Sequence, residues 1–76
     1  MPPLPVLKAL QLLRALERAG FGVSLQRGSH IRLRHADGRV VTIPFHAGQD
    51  IGRGLLRKVL RDAELSPQEL QDLLEQ

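Results

Sequence analysis

The run Phe21-Gly22-Val23-Ser24-Leu25-Gln26-Arg27-Gly28-Ser29-His30-Ile31-Arg32-Leu33-Arg34-His35-Ala36-Asp37-Gly38-Arg39-Val40-Val41-Thr42-Ile43-Pro44 decides the fold. Phe21, Val23 and Leu25 alternate with Gly22, Ser24 and Gln26, a period of two that predicts a half-buried strand. Arg27-Gly28 marks a tight turn. The next strand puts Ile31 and Leu33 on one face and His30, Arg32 and Arg34 on the other. Asp37-Gly38 tolerates positive φ and so reads as a hairpin connection. A third strand runs from Arg39 to about Pro44, with Val41 and Ile43 toward the core. Val40 and Thr42 then share the outer face with His30 and the arginines. Strands joined by tight turns pair antiparallel, which makes this run a three-stranded meander.

Upstream, Pro2, Pro3 and Pro5 keep the chain extended. Leu10, Leu13, Leu16 and Ala19 then recur at helical spacing, with Lys8, Gln11, Arg14 and Arg18 between them, and predict an amphipathic helix over 7–19. Gly20 stands where a left-handed residue ends a helix. Downstream, Phe45 to Gly52 reads as a loop. Ile51, Leu55, Leu56, Val59, Leu60 and Ala63 mark a second helix, whose other side carries Arg53, Arg57 and Arg61 in one stripe. In Ser66-Pro67-Gln68-Glu69 the serine caps, the proline takes the first helical position and the glutamate closes a capping box. Leu65 and Leu70 can staple across it, and a short third helix follows. The expected architecture is α+β: helix, three-stranded antiparallel sheet, helix, short helix. The two longer helices are the available cover for one sheet face, so the face bearing His30 stays in solvent.

The chain has 76 residues, which predicts a single domain over 1–76 with a modest core and no deep substrate cavity. It contains no cysteine, so disulfide and thiolate chemistry are excluded. A cysteine-free chain without a membrane-length apolar run or a signal-peptide pattern is expected in the cytoplasm, away from membranes. The net charge of +3 hides an asymmetry: from Arg27 to Arg61 there are eight basic residues and two acids, and from Asp62 onward five acids and no base. A basic middle with an acidic tail suits an anion-binding surface beside a separate helix, although a solvated charged face would look the same.

Histidine is the side chain suited to moving protons near neutrality, and arginine the one suited to gripping phosphate. His30 among alternating arginines therefore points toward RNA. His35 lies on the Ile31–Leu33 alternation and reads as structural, filling the sheet edge. His46 follows a strand end, where contacting a substrate and ordering the loop are both open. His35 or His46 could supply a second proton-transfer group. A metal is not expected: the three histidines lack an i, i+4 pair on a helix, and Asp37 and Asp50 read as turn or cap residues. No cofactor is implied. Gly52-Arg53-Gly54 is too short for a nucleotide-binding phosphate loop, although a helix start there offers free amides to one phosphate. The two phenylalanines and the absence of tyrosine and tryptophan leave few rings to stack bases, so phosphate and ribose contacts with modest sequence preference are expected.

Several pieces in order carry a family likeness: Leu16-Glu17-Arg18-Ala19-Gly20-Phe21, Gly28-Ser29-His30, His35-Ala36-Asp37-Gly38-Arg39, Ile43-Pro44-Phe45-His46, Gly54-Leu55-Leu56-Arg57-Lys58-Val59-Leu60 and Leu65-Ser66. With these the chain resembles the HicA-type toxins, small messenger-RNA-cleaving ribonucleases of bacterial toxin–antitoxin pairs. The resemblance implies a fold similar to double-stranded-RNA-binding domains, metal-independent endoribonuclease activity through the Gly-Ser-His histidine, and neutralisation by a HicB-type antitoxin. On this chain the catalytic residue is then His30, and the residues expected to meet RNA are Arg27, Ser29, Arg32, Arg34, His46, Arg53 and Arg57. Lys8 and Ala9 depart from the serine or threonine and glycine often found before the first helix. Gly52, Arg53 and Leu55 depart from a frequent Lys-Pro and threonine, in the loop entering the second helix. A non-catalytic RNA-binding module of the same fold is the competing reading, and a structural subunit docked through its acidic third helix is a third.

Overall fold

The computed structural model describes residues 4–46 and 48–76. Pro2 and Pro3, and Ala47 within the expected loop, lie outside that range. The elements run β1 (Leu7–Lys8), α1 (Ala9–Arg18), β2 (Phe21–Arg27), β3 (His30–His35), β4 (Val40–Pro44), β5 (Asp50–Ile51), α2 (Arg53–Ala63) and α3 (Pro67–Leu74). The three central strands form an antiparallel sheet in the order β2-β3-β4, and β1 pairs with β5 in a second, two-stranded sheet. This is the expected α-β-β-β-α arrangement of double-stranded-RNA-binding domains, with a short C-terminal helix added.

Alternation decides which face is covered. Ile31, Leu33, Val41 and Ile43 are buried in one cluster with Leu12, Ala15 and Leu16 of α1 and Leu56, Val59 and Leu60 of α2. Their neighbours Arg32, Arg34, Val40 and Thr42 are exposed. The helices therefore lie on one face of the sheet and leave the other in water. Leu70 of α3 is also in the core. Its helix starts as the sequence requires: Glu69 N–H donates to Ser66 Oγ at 3.0 Å and Ser66 N–H to Glu69 Oε1 at 2.9 Å.

Three expectations need correction. Leu7 and Lys8 do not begin the first helix: they pair with Ile51 and Asp50, and the Lys8 ammonium lies 2.7 Å from the Asp50 carboxylate. Lys8 is instead the N-cap residue of α1. A lysine side chain has no acceptor, so the relief comes from Gln11, whose Oε1 accepts from Lys8 N–H at 2.8 Å. Asp50 and Ile51 are accordingly a strand rather than loop and helix start, and Asp50 serves as an ion-pair partner rather than a cap. Ile51 is buried in that strand, and α2 begins two residues later.

The second strand is also not half-buried along its length. Phe21 is buried, but Val23 and Leu25 are 50% and 44% exposed. Two causes act. The strand lies at the sheet edge, and its register against β3 shifts between Val23, opposite Leu33, and Leu25, opposite Arg32. Ser24 is thus the extra residue of a β-bulge, and it turns Leu25 to the outer face. The Ser24 hydroxyl donates to the Arg32 carbonyl at 3.3 Å across the irregularity.

Candidate nucleic-acid interface and active site

The β2–β3 hairpin places His30. Arg27 and His30 are its closing pair, joined by Gly28-Ser29, and Gly28 has φ +58°, a value an L side chain adopts at a cost. Within the turn, the half-buried Ser29 accepts a hydrogen bond from Phe45 N–H through its carbonyl, which ties the turn to the end of β4. His30 stands opposite Pro44, and Arg32 opposite Thr42. Residues directly across an antiparallel pair point to the same side. Arg27, His30, Arg32, Thr42 and the bulge-turned Leu25 therefore converge on the uncovered face.

Together these five line an open groove of about 360 Å³. His30 is exposed in it. No ion pair among the described residues involves Arg27, Arg32 or Arg34, so their charges are not committed to a carboxylate. The groove thus offers an imidazole, two guanidiniums, a hydroxyl and one apolar patch. Arg34 shares the face but stands opposite Val40, four residues along the strand from His30. At roughly 3.4 Å per residue that is beyond a single nucleotide linkage.

The remaining candidates are elsewhere. His35 faces inward, its ring 5.2 Å from Phe21 in an edge-on arrangement, and its Nδ1 accepts from Asp37 N–H at 3.1 Å. It is structural, as its alternation implied, and does not join His30. His46 is exposed and borders a second depression of about 180 Å³ with Pro44, Asp50 and Leu55; it does not line the His30 groove. Arg53, Arg57 and Arg61 are exposed on the solvent side of α2, a helix that covers the opposite face of the sheet, and none of them lines the groove.

Arg39 leaves the basic patch altogether. Its guanidinium lies 2.9 Å from the Asp37 carboxylate, sits 5.1 Å above the Phe21 ring and donates to the Ala63 carbonyl, locking the second hairpin to the end of α2. The same guanidinium holds the Asp37 carboxyl below its ordinary value, first by hydrogen bonding. Leu25 was missed by sequence reasoning, because strict alternation from Phe21 sends it inward. Among the described residues no three His, Cys, Asp or Glu side chains gather within reach of a common metal ion.

Residues 10–65 match the family model for the HicA toxin of bacterial toxin–antitoxin systems. The chain belongs to the HicA toxin family. The matched span covers most of α1, the whole meander with His30, and α2; α3 follows it. No curated protein matches the chain. This HicA-family protein is thus a toxin of a toxin–antitoxin system, and among its described residues no helix is long and apolar enough to cross a membrane.

Proposed function

We propose that this HicA-family toxin is a metal-independent endoribonuclease that cuts messenger RNA with His30, and that a HicB-type antitoxin silences it. The observation that carries the reading is the convergence of His30, Arg27 and Arg32 in one groove on the helix-free face. Cleavage then begins with a ribose 2′-hydroxyl attacking the adjacent phosphorus. The new P–O2′ bond forms as the P–O5′ bond breaks, leaving a cyclic 2′,3′-phosphate and a free 5′-hydroxyl. One group must take the 2′ proton and another must give a proton to the departing 5′ oxygen. His30 is suited to either role. Arg27 and Arg32 stabilise the charge that grows on the phosphate oxygens, from positions fixed by strand register rather than by flexible loops.

A basic, water-facing groove that must be silenced is most simply covered by an acidic partner. The antitoxin is accordingly expected to bury His30 and to bear carboxylates opposite Arg27 and Arg32.

The test is incubation of purified protein with RNA in excess chelator. Cutting supports the enzyme, whereas a mobility shift without cutting supports the non-catalytic module. A 2′-deoxy nucleotide at the cleavage position blocks the proposed route, and efficient cutting there would exclude it.

A further inference from the structure

Leu25 poses a question that the catalytic reading leaves open. Edge strands that alternate from a buried residue normally keep alternating. Here an inserted residue, Ser24, breaks the register, and the result is a leucine left 44% exposed beside a histidine and two arginines. A leucine turned to water gives up burial, and the bulge leaves Ser24 without a residue opposite it. Leu25 is the groove's one purely hydrocarbon side chain, in a protein with two phenylalanines, one buried and one half-buried.

We infer that Leu25 is the rest for one unpaired nucleobase, so that the groove takes single-stranded RNA and grips it as base, sugar and phosphate together. This rests on the catalytic reading of His30 and adds the substrate's secondary structure to it. The placement supplies the geometry. Leu25 and Thr42 flank Arg32 from the two neighbouring strands, while Arg27 and His30 form the next pair along the face. A base on Leu25 therefore leaves its phosphate over the guanidiniums and its ribose toward His30. Ligand pockets span about 300–1,000 Å³, so a groove of about 360 Å³ suits a single nucleotide. Bases inside a duplex are stacked and cannot be laid on a strand side chain, and A-form RNA shows proteins mainly its backbone and minor groove. The bulge is the specificity device, because it supplies the one contact that phosphate-gripping arginines cannot.

The experiment measures RNA binding by fluorescence anisotropy in a His30→Ala background, so that the probe is not cut. The probes are a short single-stranded RNA, the same sequence in a perfect duplex, and an abasic ribose-phosphate oligomer of equal length. Single-stranded RNA should bind at least about ten-fold more tightly than the duplex. Adding Leu25→Ala should weaken single-strand binding about three- to ten-fold, less than losing an aromatic platform, and should leave the abasic oligomer unaffected. Leu25→Phe should restore or tighten binding. Val23→Ala, on the same strand but facing the other way, should change none of these. Equal affinity for duplex and single strand, or a Leu25→Ala effect of the same size on the abasic oligomer, would overturn the inference. If His30→Ala abolishes cleavage but Leu25→Ala leaves binding unchanged, the nucleobase rest fails and the nuclease survives. If cleavage persists in His30→Ala, the catalytic reading fails instead.

Discussion

Gly20→Ala should be one of the most damaging single-methyl additions to this protein, and the structure says why. Gly20 follows α1 with φ +101°, a conformation costing other residues about 1–3 kcal/mol. A Cβ there would meet His35 Nε2 at 2.8 Å and Cδ2 at 3.1 Å. The ring must move, and moving it surrenders its edge contact with Phe21, worth about 0.5–1.5 kcal/mol, and the hydrogen bond that Nδ1 accepts, worth about 0.5–1.5 kcal/mol net. Restricting the unfolded chain returns about 0.4–1 kcal/mol. The balance is a loss centred on about 3 kcal/mol, or roughly 12–24 °C in Tm at this size. Thermal and urea melts of Gly20→Ala read it, with Gly22→Ala as control, since nothing lies within 4 Å of a Cβ at Gly22. In a His35→Ala background the clash disappears and the backbone cost remains, so the Gly20→Ala penalty should shrink by about 1–3 kcal/mol. A Tm no lower than that of Gly22→Ala, or an unchanged penalty without His35, would refute the reasoning. The same account makes His35 a structural residue of the hairpin, so His35→Ala should lower stability yet cut RNA normally at a matched folded fraction.

Two further outcomes follow from charge placement. Asp37 is held below its ordinary value of 3.8 by Arg39, and Glu69 below 4.5 by the Ser66 backbone N–H. Both carboxyls are depressed in the folded protein, so their contribution is complete above the unfolded values and is lost as pH falls through the folded ones. Stability should therefore drop below about pH 4, and Asp37→Asn with Glu69→Gln should flatten that slope in acid titrations monitored by circular dichroism. Arg27→Ala and Arg32→Ala should each reduce the slope of log affinity against log salt by about 0.7 for single-stranded RNA, whereas Arg57→Ala, on the covered side's outer helix, should leave it unchanged.

What the sequence reveals here is local. The alternation of Ile31 and Leu33, the Asp37-Gly38 turn, and the Ser66–Glu69 box each lie within a few residues, and each fixes its element. The β1–β5 pair is different: two residues against two, more than forty apart in the chain, with no periodicity to announce them. Its clearest mark, the Lys8–Asp50 ion pair, has meaning only once the register is known. The bulge at Ser24 also escapes reading, because a period-two pattern carries no sign of one extra residue. Arg39 and the stripe at Arg53, Arg57 and Arg61 show the limit of counting charge: the first is spent on Asp37 and Phe21, and the others are separated from His30 by the sheet. The site itself was half legible. His30 and Arg32 could be placed on one face from alternation; Leu25 and Arg27, which the same alternation from Phe21 sends inward, reach that face only through the bulge.

The most direct measurement is RNA cleavage by wild-type protein and His30→Ala at equal concentration in excess chelator, with melts of both. Because His30 is exposed, the substitution should leave the melting temperature within a few degrees while cleavage falls by about 100-fold or more. A His30→Ala protein that folds as well and cuts RNA as fast as the wild type would contradict the account.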